Sequence, residues 1–240
     1  MKPVTAPALH NSPLSSRLSR LVQLRPAELQ ALQAAERNMR RAPAKRELLI
    51  EGAPIRHGRA LLSGWACHQH ILLDGQRQIL SFLLPGDLIG VCRHSRPVAS
   101  TTIVAITEVT TCVVPEAQPG SGLAEAYAHS AALEQHYLLA EITRLGRLNA
   151  YERLADWFLE THERLAFNGL AGVDQFALPL TQEMLADALG LTSVHVSRTL
   201  QALRCDGLLE LQGGVAMFPR RSELEALIGY KRARVTADAG

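Results

Sequence analysis

The 240-residue chain predicts an α+β fold: an antiparallel β-roll, then a long helix, then a small helical unit closed by a two-stranded wing. Three observations carry this. Between residues 48 and 114, short β-branched runs alternate with turn signals, the spacing of a small barrel or jelly roll. Residues 123–148 lack proline and are rich in helix formers. Beyond residue 180, two short helical patterns flank Gly190, and a Gly213-Gly214 turn joins two apolar runs.

Composition bounds the reading without deciding it. Lys and Arg number 25 against 23 Asp and Glu, so net charge argues neither for nor against nucleic acid, which needs a local basic surface. A 47% apolar content supports a sizeable core, and no apolar run approaches the ~20 residues of a membrane helix. Cys67, Cys92, Cys112 and Cys205 are scattered, without a C-x-x-C pair or zinc spacing. With no secretory pattern at the start, this predicts reduced thiols and a cytoplasmic protein.

Residues 1–25 are expected to form a flexible leader. Pro26 opens a helical pattern over 27–40, with Leu29, Leu32 and Ala35 at helical spacing. Arg37, Arg40, Arg41, Lys45 and Arg46 then surround Pro43, a solvated linker face rather than a phosphate patch. Within the β-roll, assigned to 26–122, the turn signals are Glu51-Gly52-Ala53-Pro54, Ser63-Gly64, Asp74-Gly75 and Pro85-Gly86-Asp87. Asp-Gly between apolar runs predicts a hairpin, because its turn needs a positive φ. Thr101, Thr102, Ile103, Val104, Ile106, Val109 and Val113 mark further strands.

The long helix, 123–148, carries Leu133, Tyr137, Ala140 and Arg144 at three- and four-residue spacing. This stripe is expected to pack on a second copy of the chain, the alternative being a helix packed only on its own β-roll. Another helix, 150–165, places Leu154, Trp157, Phe158 and Leu165 on one side and opens the terminal unit, 149–240.

In the terminal unit Thr181 caps a helix carrying Met184, Leu185, Ala188 and Leu189 inward, and Gly190 stops it. Thr192 or Ser193 caps the next helix, whose inner side is Val196, Thr199, Leu200 and Leu203. Its outer side presents Ser193, Val194, His195, Ser197, Arg198 and Gln201, short or polar at the N-terminal end as entry into a DNA major groove requires. Arg198 offers two parallel donors for guanine N7 and O6, and Thr192 and Ser193 offer backbone N–H to phosphate. Gln182 starts the first helix of the pair, and Gln212, Gly213 and Gly214 form the wing tip. A capping box, Ser222-Glu223-Leu224-Glu225, predicts a last helix packing Leu224, Leu227 and Ile228. Asp187, Asp206, Glu210, Glu223 and Glu225 nearly balance the basic residues here, so affinity is expected to depend on dimerisation.

The stretch LPLTQEMLADALGLTSVHVSRTLQALRCDGLLEL, residues 178–211, resembles the winged helix-turn-helix of the cAMP receptor protein/Fnr (Crp/Fnr) family of bacterial regulators. LLDGQRQILSFLLPGDLIG, residues 72–90, is similar to that family's β-roll segment. The resemblance implies a cyclic-nucleotide-binding-like β-roll as sensor and a homodimer through the long helix. It also implies a two-fold symmetric double-stranded DNA operator, and RNA polymerase as a partner. Val194 stands where the family often has Glu, so the half-site is expected to differ. Cyclic-nucleotide binders carry Gly-Glu for the ribose and Arg-Ser or Arg-Thr for the phosphate. This chain has Gly90-Val91 at the first pair, and no Arg precedes Ser100 at the second, which argues against cAMP. No cysteine lies in the leader, and the β-roll cysteines are widely spaced, which does not support Fnr-type iron–sulfur ligation.

No cofactor is predicted. The lesser readings are haem through His57, His68, His70, His94 or His136, and a cupin-like metal site from His68, His70 and Asp74 completed by His94. In that second reading the C-terminal unit serves only to bind a partner. Cys205 is expected to be a small buried hydrophobe rather than a redox switch. No catalytic constellation emerges, so the chain is not expected to be an enzyme.

Overall fold

The computed structural model describes residues 12–92 and 95–234. The first helix, α1 (Pro13–Leu21), lies inside the segment expected to be a leader. Pro13 presets its first turn, and Leu14 and Leu18, one turn apart, are wholly buried. The flexible-leader expectation is therefore corrected for this part; residues 1–11 lie outside the described residues. The next helix, α2, spans Pro26–Arg37, shorter than expected, because Arg40 already belongs to a strand.

Among the described residues, eight strands build the roll: β1 (Arg40–Ala42), β2 (Glu47–Leu49), β3 (Arg59–Ser63), β4 (Ala66–Ile71), β5 (Arg77–Leu83), β6 (Leu88–Ile89), β7 (Thr102–Ala105) and β8 (Val109–Val113). They form two four-stranded antiparallel sheets, β1-β8-β3-β6 and β2-β7-β4-β5. Leu61, Ala66, Leu83, Ile89, Ile103, Ala105 and Val109 fill the space between them. The Asp74-Gly75 signal is a hairpin as expected: Ile71 pairs with Arg77, Gly75 has φ +83°, and Asp74 accepts from the Gln76 N–H. Of the basic stretch around Pro43, Arg40 and Arg41 lie in the edge strand β1, Arg37 ends α2, and Lys45 and Arg46 stand in the turn before β2; all five are exposed, as expected of a solvated face.

The long helix is α3 (Gly122–Arg147), capped by the Ser121 hydroxyl. It leads into α4 (Ala150–Phe167), where Asn149 and Glu152 form a reciprocal capping box. The terminal unit continues with β9 (Gln175–Ala177), α5 (Gln182–Leu189), α6 (Ser193–Cys205), β10 (Glu210–Gln212), β11 (Val215–Met217) and α7 (Arg221–Ile228). Strand β9, unforeseen, pairs with β11 and makes the wing a three-stranded sheet. Helix α7 starts at Arg221 behind Arg220, so Ser222 is not its cap, and Leu227 is exposed.

The β-roll and terminal unit share one core. Trp65, Ile79, Phe82 and Leu84 of the roll pack with Leu154, Trp157, Phe158 and Leu159 of α4. Phe82 meets Trp157 edge-on with ring centroids 5.4 Å apart. Beside this seam runs a buried ionic chain. Asp87 receives Arg17 of α1 at 3.1 Å, Arg164 of α4 at 2.8 Å and the Leu84 N–H at 2.8 Å. Arg144, 1% exposed, binds Asp156 and Glu160 of α4 at 2.7 Å each and also Glu141.

Candidate DNA-reading surface

The surface is assembled from three helix ends and a turn. The Thr181 hydroxyl accepts the Met184 N–H and starts α5; Gly190, at φ +62°, ends it with the left-handed turn a side chain would oppose. The Thr192 hydroxyl accepts the His195 N–H and starts α6. Val196, Thr199, Leu200 and Leu203 are buried, which locks the rotation of α6 about its axis. Rotation so fixed leaves Ser193, Val194, His195, Ser197, Arg198 and Gln201 exposed together, as expected from the sequence. Gln182 and Thr192 are exposed beside them, and so are Gln212, Gly213 and Gly214 at the wing tip. Gly213 and Gly214 have φ of +58° and +77°, the geometry of the tight hairpin turn.

An open concavity of about 560 Å³ flanks α6, between Val194, His195 and Arg198 on one side and Asn149, Ala150 and Tyr151 on the other. The contribution of α4 was not foreseen, since some forty residues separate it from α6 in sequence; the Asn149-x-x-Glu152 cap was its only local signal. The Tyr151 hydroxyl donates to Asp206 at 2.8 Å, tying the end of α6 to the start of α4, and burial with this carboxylate pushes the phenol up to about 12. Four of the five acids that offset the basic residues are held by partners. Asp187 binds Arg77 at 2.6 Å, Asp206 binds Tyr151, Glu223 binds Arg220, and Glu225 binds Arg221.

The stripe expected for dimerisation faces the wrong way. Leu133 is 7% exposed and Arg144 1%, and the Tyr137 ring lies under the Arg164 guanidinium at 4.8 Å. Ala140 is half-buried. The outward apolar residues of α3 are Leu138, Leu139 and Ile142, at 41%, 57% and 67% exposure. Cys205 is also corrected: it is exposed, with Gln201 against its sulfur.

The cupin-like reading finds no cluster. His68 Nδ1 meets the Thr101 hydroxyl at 2.7 Å and His70 Nδ1 meets Glu51 at 3.1 Å, while Asp74 is occupied in its turn. Among the described residues no three His, Cys, Asp or Glu are grouped to hold a metal; His94 lies outside them.

Residues 152–227 match the Crp-like helix-turn-helix domain, and residues 39–119 match the cyclic nucleotide-binding domain. The chain is 30% identical over 198 residues to the transcriptional activatory protein AadR of Rhodopseudomonas palustris, covering 78% of this chain and 79% of that protein. The chain belongs to the Crp/Fnr family. It is also 34% identical to the nitrogen fixation regulation protein FixK of Bradyrhizobium diazoefficiens, over 64% of this chain and 67% of the relative. With the transcriptional activator FnrL of Cereibacter sphaeroides the identity is 30%, over 64% of this chain and 65% of the relative, just under two thirds of its length. The solved structure of FixK2 from Bradyrhizobium japonicum superposes with a TM-score of 0.69 at 27% identity, covering 82% of this chain and 98% of that one. AadR and FnrL are transcriptional activators and FixK regulates nitrogen fixation, which removes support from the metal-centred alternative. No helix of the described residues is long and apolar enough to cross a membrane.

Proposed function

We propose that this Crp/Fnr-type transcription regulator binds a palindromic DNA operator as a homodimer, with α6 in the major groove. The observation that carries it is the single exposed face of α6, on which Val194, His195, Ser197, Arg198 and Gln201 stand clear of every core contact. Arg198 reads guanine through N7 and O6, Val194 meets a thymine methyl, and the Ser193 N–H and wing tip take phosphates. The dimer forms through Ala131, Gln135, Leu138 and Ile142 of α3, exposed residues at alternating four- and three-residue steps like a coiled-coil seam. RNA polymerase is the further partner, by likeness to the family's transcriptional activators.

Cyclic AMP is not the effector. Where α3 crosses the roll, the cavity is about 40 Å³, far below the ~300 Å³ at which ligand pockets begin. Its cations, Arg17 and Arg164, are already committed to Asp87, so a phosphate would meet no uncommitted cation among the lining residues. The Val91 side chain is packed against Gly58, so that a Cβ at Gly58 would lie 2.7 Å from it.

Selection from a randomised duplex pool tests the proposal. The parent protein enriches a palindrome, and Arg198→Ala relaxes preference at one guanine per half-site, losing ~1–3 kcal/mol of discrimination there. No enrichment sinks the proposal, and equal weakening on all sequences makes Arg198 a phosphate contact.

A further inference from the structure

Three helix ends converge on one side chain. Arg153, in the first turn of α4, donates from Nε to the Leu148 carbonyl at 2.9 Å and from Nη2 to the Leu145 carbonyl at 2.8 Å. From Nη1 it donates to the Leu189 carbonyl at 3.0 Å. Leu145 and Leu148 close the C-terminal end of α3, and Leu189 is the last residue of α5 before the Gly190 turn. Both ends carry the negative pole of a helix dipole and carbonyls without intrahelical partners, so a single planar cation satisfies both. The turn itself sits on the same spot: a Cβ at Gly190 would lie 3.6 Å from the Leu145 side chain and 3.7 Å from Arg153 Nη1.

We infer that Arg153 is the positioning residue that fixes α5 and the turn before α6 relative to the end of α3, and so sets the half-site spacing the dimer accepts. The inference rests on the proposed DNA-reading dimer. In that dimer α3 is shared between protomers, and each α6 is carried at the end of α3 through the Leu148-Asn149 junction. Arg144 already ties α3 to α4 through Asp156 and Glu160. Arg153 adds the link from both of these helices to α5, whose turn delivers α6. Two added base pairs move the second half-site about 7 Å along the DNA and about 70° around it, so tolerance of spacing measures the stiffness of this link. Arg153 lies on none of the exposed α6 positions and does not choose bases.

The test uses the full-length protein with duplexes carrying two half-sites at the selected spacing and at spacings one or two base pairs shorter and longer, read by fluorescence anisotropy. The variants are Arg153→Met, which keeps the aliphatic stem, and Arg153→Lys, which keeps the charge but loses the fork; thermal melting confirms that each is folded. The parent prefers one spacing by about tenfold or more over a two-base-pair change. Arg153→Met narrows that preference to about threefold or less, with the ranking of single-base substitutions within a half-site unchanged, and Arg153→Lys falls between. An unchanged spacing profile in both variants overturns the inference, as does equal loss of affinity at every spacing. If Arg153→Met does not fold, Arg153→Lys decides alone by the same criteria. A parent that binds no duplex overturns the DNA-reading dimer itself, and with it this inference.

Discussion

His162 shows how a buried titratable side chain constrains the terminal unit. It is 2% exposed, its Nε2–H donates to the Gly172 carbonyl at 2.9 Å, and its Nδ1 accepts from Arg221 at 2.9 Å. That arrangement admits only the neutral ring, and burial holds its pKa below the ordinary 6.5, with the Arg221 charge opposing protonation as well. A base whose folded pKa is depressed gives stability that is complete above the unfolded pKa and lost as pH falls toward the folded value. The melting temperature is therefore expected to drop below pH 6.5, and His162→Gln should flatten that acid limb in calorimetry. At this scale the outer face of α6 was legible, because Val196, Thr199, Leu200 and Leu203 fix it by period alone. Arg144 and Cys205 were not. Burial of an arginine depends on carboxylates twelve and sixteen residues away, and exposure of a cysteine on where the last turn of α6 ends relative to α4.

Helices α1 and α3 show why periodicity finds an element more easily than its partner. The Pro13, Leu14 and Leu18 pattern was present, but it sits in a Ser- and Pro-rich stretch, and a nine-residue helix holds only through tertiary packing. In α3 both faces carry apolar residues, so spacing alone did not tell the buried stripe of Leu123, Tyr127 and Leu133 from the exposed one of Leu138, Leu139 and Ile142. Contacts with α1, with α4 and with the ionic chain decide it. The double variant Leu138→Glu/Ile142→Glu should be folded but monomeric by sedimentation equilibrium, since repulsion replaces an apolar seam. A dimer that persists would move the interface off this face of α3.

For the whole molecule, the order of β-roll, long helix and winged unit was legible because each part has its own grammar of period and turn. The docking of the parts was not. The core that unites Trp65 and Phe82 with Trp157 and Phe158, and the Arg17–Asp87–Arg164 chain beside it, joins residues as much as 147 positions apart at its margin, where Arg20 donates to the Phe167 carbonyl. Docked this way, α6 and the wing remain open to solvent while α5 leans on the roll through Arg77 and Asp187. Two such chains joined along α3 would present two α6 helices to one duplex. Hydroxyl-radical footprinting on the selected operator measures this directly. A homodimer reading DNA through both α6 helices should leave two symmetric protected patches on one DNA face, about one helical turn apart centre to centre; one patch, or protection without symmetry, would contradict it.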